Sequence, residues 1–163
     1  MRTVALTSLC ALSVGALVLT TNRPLQAGGT GYRFHLKSAP TLCMDGRGDT
    51  TKAGTEVWLT KCNDTDAQRW TITTDSDGLS LVVGPGGNCL DVTAGSTKTY
   101  TPMVLVPCNF GKNQFFKFAG DLLVQESTGK CIGVAKAEDK QPLRLEPCKG
   151  VFERQWLFEF NRK

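Results

Sequence analysis

Apolar and polar residues alternate with a period of two along short runs of this chain. Tyr32, Phe34 and Leu36 are separated by Arg33, His35 and Lys37, and Val57 and Leu59 flank Trp58. Trp70-Thr71-Ile72, Phe116-Lys117-Phe118 and Trp156-Leu157-Phe158-Glu159-Phe160 likewise carry a large apolar group on every second residue. That period sends one set of side chains to a core and the other to solvent, which describes a half-buried strand. Gly, Pro, Asn and Asp punctuate the runs as turns require, and no segment sustains helical spacing. The pattern predicts an all-β chain of short strands.

The pattern also repeats. Cys43 and Cys62 are 19 residues apart, Cys89 and Cys108 again 19, and Cys131 and Cys148 17. Eight residues beyond the second Cys of each pair stands an aromatic: Trp70, Phe116 or Trp156. VWLTKC, MVLVPC and LRLEPC lead into the second cysteines, and CMDG, CLDV and CIGV start at the first. Three units of about forty residues share one pattern, the mark of an architecture in which no unit buries its apolar face alone. At about four strands per unit, the chain should hold about twelve. The repeat pairs the cysteines within units, as Cys43–Cys62, Cys89–Cys108 and Cys131–Cys148. Each bridge ties two strands of a unit and stabilises by about 3 kcal/mol on the chain-entropy estimate.

The start of the chain has a different character. Met1-Arg2 precedes a run from Thr3 to Thr20 that carries no charge, and Ala27 stands before Gly28-Gly29. A basic start, an apolar stretch and a small residue at the cut describe a secretory signal peptide over residues 1–27, with one domain over 28–163. A membrane anchor is the weaker reading, because Thr3, Thr7, Ser8, Ser13 and Gly15 dilute the run. The leader removes one of the seven cysteines, Cys10, and leaves an even six, the disulfide framework of a secreted chain. Zinc binding is disfavoured, since there is no Cys-x-x-Cys and a single His. Arg2 and Arg23 leave with the leader, so the formal charge of +4 falls by two units, and no basic clusters invite nucleic acid.

On its repeated motifs the chain resembles the ricin B-chain-type β-trefoil family. Units of that family carry Cys-x-Asp, then an apolar-x-apolar strand ending in Cys, then Gln-x-Trp. Matching residues are Cys43-Met44-Asp45 with Gln68-Arg69-Trp70, and Cys89-Leu90-Asp91 with Gln114-Phe115-Phe116. The third unit has Cys131-Ile132-Gly133 and Arg154-Gln155-Trp156, so the likeness runs from about Tyr32 to Phe160. The resemblance implies a β-trefoil of three repeats, each with its own disulfide. It further implies a secreted lectin for galactose- or N-acetylgalactosamine-type glycans on glycoproteins or glycolipids, with no cofactor, metal, nucleic acid or membrane insertion. A separate toxin or enzyme subunit is a partner class that the resemblance also admits.

The site residues follow from the same resemblance. A carboxylate two places after the first Cys accepts hydroxyl hydrogen bonds. An amide before the Gln donates and accepts, and an aromatic two places before the second Cys lies against the sugar's C–H face. The second unit matches best, with Asp91, Asn113 and Gln114, although Val106 holds the stacking place and Tyr100 is the nearest ring in the preceding loop. The first unit keeps Asp45 and Gln68, but Ala67 replaces the Asn and Thr60 the ring, which leaves outward-pointing Trp58 as the platform. The third unit has Gly133, Arg154 and Glu146 at these places and is expected to be scaffold. The principal site is therefore expected in the second unit, with Asp91 facing outward.

Competing readings stand beside these. Asp45 and Asp91 are also ordinary turn acceptors, and Gln68 and Gln114 suit a structural role. Trp70, Phe116 and Trp156 share a face with the core. A degenerate trefoil that binds protein, as a toxin accessory or receptor-binding subunit or a protease inhibitor, is the alternative function. Catalysis is not expected, since His35 lies on an outward strand face with no nucleophile placed beside it, and Asp45 and Asp91 fall in separate units. Arg47-Gly48-Asp49, an integrin-type tripeptide, occurs once in an exposed loop and is expected to be incidental. Asn63-Asp64-Thr65 is an N-glycosylation acceptor beside the first unit's pocket.

Overall fold

The computed structural model describes residues 31–84, 86–149 and 154–161. The expected leader with Cys10, and the side chains of Phe158 and Phe160, lie outside the described residues. Every regular element is a strand, apart from 3-10 turns such as Asp66–Gln68 and Lys112–Gln114. No helix among the described residues is long and apolar enough to cross a membrane.

The first unit holds β1 (Gly31–Leu36), β2 (Ala39–Gly46), β3 (Val57–Lys61) and β4 (Thr71–Thr74). The second holds β5 (Ser80–Val83), β6 (Asn88–Val92), β7 (Met103–Pro107) and β8 (Phe116–Ala119). The third holds β9 (Leu122–Gln125), β10 (Lys130–Gly133), β11 (Gln141–Pro142), β12 (Arg144–Glu146) and β13 (Trp156–Asn161). The described residues hold thirteen strands where about twelve are expected, because the third strand of unit three is divided at Leu143. Its halves pair differently, β11 with β3 and β12 with β10.

The outer strands of the units close a six-stranded barrel. The ring runs β1 to β4 through a Tyr32–Trp70 bridge, then β4 to β5, β5 to β8 and β8 to β9. A Leu122–Gln155 bridge leads from β9 toward β13, and β13 pairs with β1 from Gly31–Asn161 to Leu36–Trp156. The hairpins β2–β3, β6–β7 and β10–β12 cap one end of the barrel. They are stitched to each other around a pseudo-threefold axis. Leu105 N donates to Thr55 O at 2.8 Å, Met103 N to Leu143 O at 2.8 Å, and Leu143 N to Val57 O at 2.8 Å. Closing the ring pairs the edges of its own six strands.

The alternating apolar residues meet inside this barrel. Phe34, Leu36, Trp70, Phe116 and Trp156 are all fully buried, joined by Met44, Leu90 and Ile132 from the three cap hairpins. Trp70 Nε1 donates to Met44 O at 3.1 Å, and Trp156 Nε1 to Ile132 O at 3.0 Å. Phe116 fills the equivalent place in unit two without a polar handle. The disulfides are Cys43–Cys62, Cys89–Cys108 and Cys131–Cys148, as the repeat predicts, with Cα–Cα distances of 5.1, 5.0 and 5.0 Å. Each joins the second strand of a unit to the third strand or the residues just beyond it.

Gly46, the residue after Asp45, shows how tightly the first unit's turn is built. Thr50 N donates to Gly46 O, and a Cβ on Gly46 would overlap the backbone oxygen of Thr50. Gly46→Ala must therefore displace the turn that carries Arg47 to Asp49. We expect it to cost about 1–3 kcal/mol, typical of overpacking, read as a lower denaturation midpoint with an unchanged m-value.

Candidate functional site

The three repeats put three equivalent hairpins on one molecule, so differences between them isolate what a site needs. Across each hairpin, the residue two after the first Cys faces a partner on the next strand. The pairs are Asp45 with Trp58, Asp91 with Val104, and Gly133 with Arg144. The expected stacking positions Thr60, Val106 and Glu146 face Cys43, Cys89 and Cys131 instead. Register thus places the indole of Trp58 directly opposite Asp45, and the other two units have no ring at that position.

In the first unit these side chains open into a cavity of about 390 Å³ lined by Asp45, Arg47, Gly48, Asp49, Trp58, Thr60, Asn63 and Lys140. Asp45 is buried, and its Oδ2 has no hydrogen-bond partner among the described residues. Burial pushes its carboxyl up from the usual 3.8 to about 6, opposed by the Gln68 amide and reinforced by the charge of Asp49. Asn63 sits across the cavity and donates from Nδ2 to Asp49 Oδ1 at 2.7 Å. An amide therefore lines this cavity from the loop after Cys62, although Ala67 replaces the amide expected before Gln68. Asn63 had a sequence signal as a glycosylation acceptor only, and as a lining residue it would bring any glycan beside the cavity.

The far wall comes from another unit. Thr60 Oγ1 donates to Asp139 Oδ1 at 2.8 Å, and Lys61 N donates to the same oxygen at 3.1 Å. The Thr60 hydroxyl holds the Asp139 carboxyl below its usual range. This anchors the Asp139–Lys140 loop of unit three over the pocket of unit one. Trp58 is held edge-on by Nε1 donating to Glu56 Oε2 at 3.1 Å, and the Arg47 guanidinium lies 4.4 Å from the ring centroid. Glu56 Oε2 also pairs with Arg47 at 3.0 Å.

The tripeptide Arg47-Gly48-Asp49 is exposed, but its charges are engaged in this pocket. Asp49 Oδ1 accepts from Asn63 and, at 3.1 Å, from Thr65 Oγ1. Arg47 is held by Glu56 and Trp58.

The second unit brings Asp91, Asn113 and Gln114 together, but not as an outward-facing carboxylate. Asp91 is only 2% exposed, because the 3-10 turn Lys112–Gln114 folds over β6. Its Oδ2 accepts from Asn113 Nδ2 at 2.6 Å and from Gln114 Nε2 at 2.8 Å. Val106 is half-buried beside Cys89's partner strand position, and Tyr100 turns away to unit three, where Arg144 stacks on it at 4.6 Å. A second cavity of about 300 Å³ touches Asn113 but is lined by Ser96, Thr97, Lys112, Gln125 and Ser127, without Asp91.

The glutamines brace loops. Gln68 Nε2 donates to Lys61 O and its Oε1 accepts from Asn63 N, both at 2.9 Å. Gln114 makes the same pair of contacts, to Pro107 O at 3.2 Å and from Asn109 N at 2.9 Å. In the third unit Glu146 is buried between Arg144 Nε at 2.5 Å and Arg154 Nη2 at 3.0 Å. Those ion pairs engage both oxygens of the Glu146 carboxylate.

The family model of the ricin-type beta-trefoil lectin domain matches residues 32–156. No curated protein sequence matches the chain. Among solved structures, the designed threefold-symmetric protein ThreeFoil is 22% identical, with a TM-score of 0.74 over 80% of this chain and 98% of its own. The C-half of an earthworm R-type lectin, in complex with GalNAc, is 12% identical at TM-score 0.63, covering 82% of this chain and 100% of its own. An exo-beta-1,3-galactanase from Clostridium thermocellum is 21% identical at TM-score 0.74 over 81% of this chain, which spans only 30% of the galactanase. At these identities the structural likeness establishes the fold.

Proposed function

The chain belongs to the ricin-type β-trefoil lectin domain family, and from that premise we propose that it binds glycans through the first unit's pocket. The observation that carries this reading is Asp45, a lining residue of an open cavity and cross-strand partner of Trp58, whose Oδ2 is buried and unpartnered among the described residues. A buried acceptor without a donor is costly until a ligand supplies one. Two neighbouring sugar hydroxyls supply donors, and the C–H face of the ring lies against the indole. Galactose and N-acetylgalactosamine suit this arrangement, because their axial 4-hydroxyl leaves one face of the ring apolar. Asn63 and Lys140 stand at the rim to meet outlying hydroxyls.

The second unit, expected from sequence to hold the principal site, is the lesser one on this reading. Asp91 already holds two amide donors, and no ring faces it. The module acts as a binding protein, not a catalyst, and its targets are glycans on glycoproteins or glycolipids. Three disulfides suit an oxidising compartment, which agrees with export directed by residues 1–27. A glycan array with the mature chain tests the function. Signals that free galactose competes away support it, and a blank array opposes it.

Binding should depend on pH through Asp45. The hydroxyls donate to the ionised carboxylate, so protonation at about 6 and below removes the acceptor. At about pH 5 only about one-tenth of Asp45 is ionised, so affinity should fall about tenfold from its value at neutral pH. Titration calorimetry across that range reads the change.

A further inference from the structure

His35 is the only histidine in the chain, and it does not stand free on its strand face. Its side chain is 13% exposed and lies over the Cys43–Cys62 bridge. Nδ1 is 3.6 Å from Cys43 Sγ and 3.5 Å from Cys62 Sγ. The same nitrogen is 2.8 Å from Pro40 O, and Nε2 is 3.0 Å from Glu159 Oε2. The repeat supplies internal controls. The residue paired with the first Cys of each unit is His35 opposite Cys43, Val83 opposite Cys89 and Val124 opposite Cys131. Only the first bridge has an imidazole against it.

These distances have a chemical meaning. In tetrahedral zinc sites, bonds of about 2.0–2.1 Å to nitrogen and 2.3 Å to sulfur place the two donors about 3.5 Å apart. His35 Nδ1 already stands at that spacing from both sulfurs. Glu159 occupies the outer position that a carboxylate takes behind a metal-bound histidine, where it accepts the remaining ring proton and fixes the tautomer. We propose that opening the Cys43–Cys62 bridge converts His35, Cys43 and Cys62 into a binding site for zinc or another thiophilic divalent cation.

The chemistry balances with a dithiol as reductant. It gives two electrons to the bridge and closes to its own disulfide, the Cys43–Cys62 bond breaks, and each sulfur gains one of its protons. The cation displaces both thiol protons, so two thiolates neutralise its charge. Nδ1 gives up to solvent the proton that it donates to Pro40 O and turns its lone pair to the metal, while Nε2–H donates to Glu159. The sulfurs must part after the bond breaks, and strands β2 and β3 with their cross-strand pairing hold the two cysteines close enough to share one ion. The fourth position stays open to water. This site is independent of the glycan pocket, which uses neither sulfur.

The test uses the full chain. After limited reduction and removal of the reductant, an aliquot is alkylated and peptide-mapped to identify the fraction with only Cys43–Cys62 open, and the unalkylated remainder of that fraction is titrated with Co²⁺ as the spectroscopic probe. The expected result is about one Co²⁺ per chain, with a thiolate-to-cobalt charge-transfer band and the d–d bands of a tetrahedral ion, lost on adding Zn²⁺. In His35→Phe the dithiol forms but the tetrahedral spectrum is lost. In Glu159→Gln the spectrum is kept and affinity falls about 10- to 100-fold. Equal spectra and affinity in His35→Phe and the parent would overturn the proposal. So would Co²⁺ binding at either of the other opened bridges, or loss of the near-ultraviolet circular dichroism of the buried tryptophans when this one bridge opens.

Discussion

Asp45→Asn should abolish measurable glycan binding and leave the fold intact. The change keeps the shape of the side chain and removes the charge that accepts the sugar's hydroxyls. Losing a charged acceptor costs about 1.5–3 kcal/mol, or about 10- to 100-fold in affinity, which is enough to erase a shallow site. Stability should move the other way. Asp45 binds its proton more tightly in the folded chain, at about 6, than at the ordinary 3.8. Its contribution is therefore fully favourable below about pH 4, is lost as pH rises toward 6, and remains a deficit above that. Asp45→Asn removes this deficit, so at neutral pH the variant should be at least as resistant to urea as the parent. Asp91→Ala should behave differently, because it strands the amides of Asn113 and Gln114 and lowers stability. Paired calorimetry and urea titrations separate the two cases.

Trp70→Ala should be the most damaging single change to the fold. The ring is fully buried and packs edge-to-face on Phe34 with centroids 6.4 Å apart. It also abuts Gly84 of the second unit, where an added Cβ would come within 3.2 Å of Trp70 Cζ3. One side chain thus joins β1, the first cap hairpin and the neighbouring unit. Truncation should cost about 3–5 kcal/mol, and Met44 O loses its donor as well. Against a total stability of about 5–15 kcal/mol, that leaves a marginal or unfolded chain. Trp70→Phe should be much milder, because unit two already uses Phe116 at the equivalent place with no indole hydrogen bond. Thermal unfolding of the two variants beside the parent measures both effects. A Trp70→Ala protein with an unchanged midpoint would refute the packing account.

The fold was legible because every unit states the same pattern. Paired cysteines, an aromatic eight residues beyond the second of each pair and period-two alternation agree three times over, and their agreement specifies bridges, barrel and core together. The site was less legible, since the same Cys-x-Asp motif gives a buried carboxyl twice, at Asp45 with one oxygen left unpartnered beside a cavity and at Asp91 clamped by two amides. That difference comes from residues remote in sequence or hidden by register. Trp58 faces Asp45 where Val104 faces Asp91, and the Asp139–Lys140 loop of unit three completes the wall of unit one. Asn63 replaces an amide lost from Ala67 by approaching from another loop. Asp91 was expected to face solvent from strand alternation alone, which does not see the 3-10 turn that covers it. His35 was likewise assigned to an outward face, and Glu159, paired with it from the far end of the chain, closes it in.

The first unit's pocket as the sugar site is tested most directly by the indole N–H signals of a ¹⁵N-labelled chain during titration with galactose. The three tryptophans report three separate places: Trp58 in the pocket, Trp70 and Trp156 in the core. Trp58 should shift progressively and saturate, Trp70 and Trp156 should stay in place, and Asp45→Asn should abolish the response. A saturating shift of the Asn113 side-chain amide with Trp58 unmoved would contradict the assignment and return the site to the second unit.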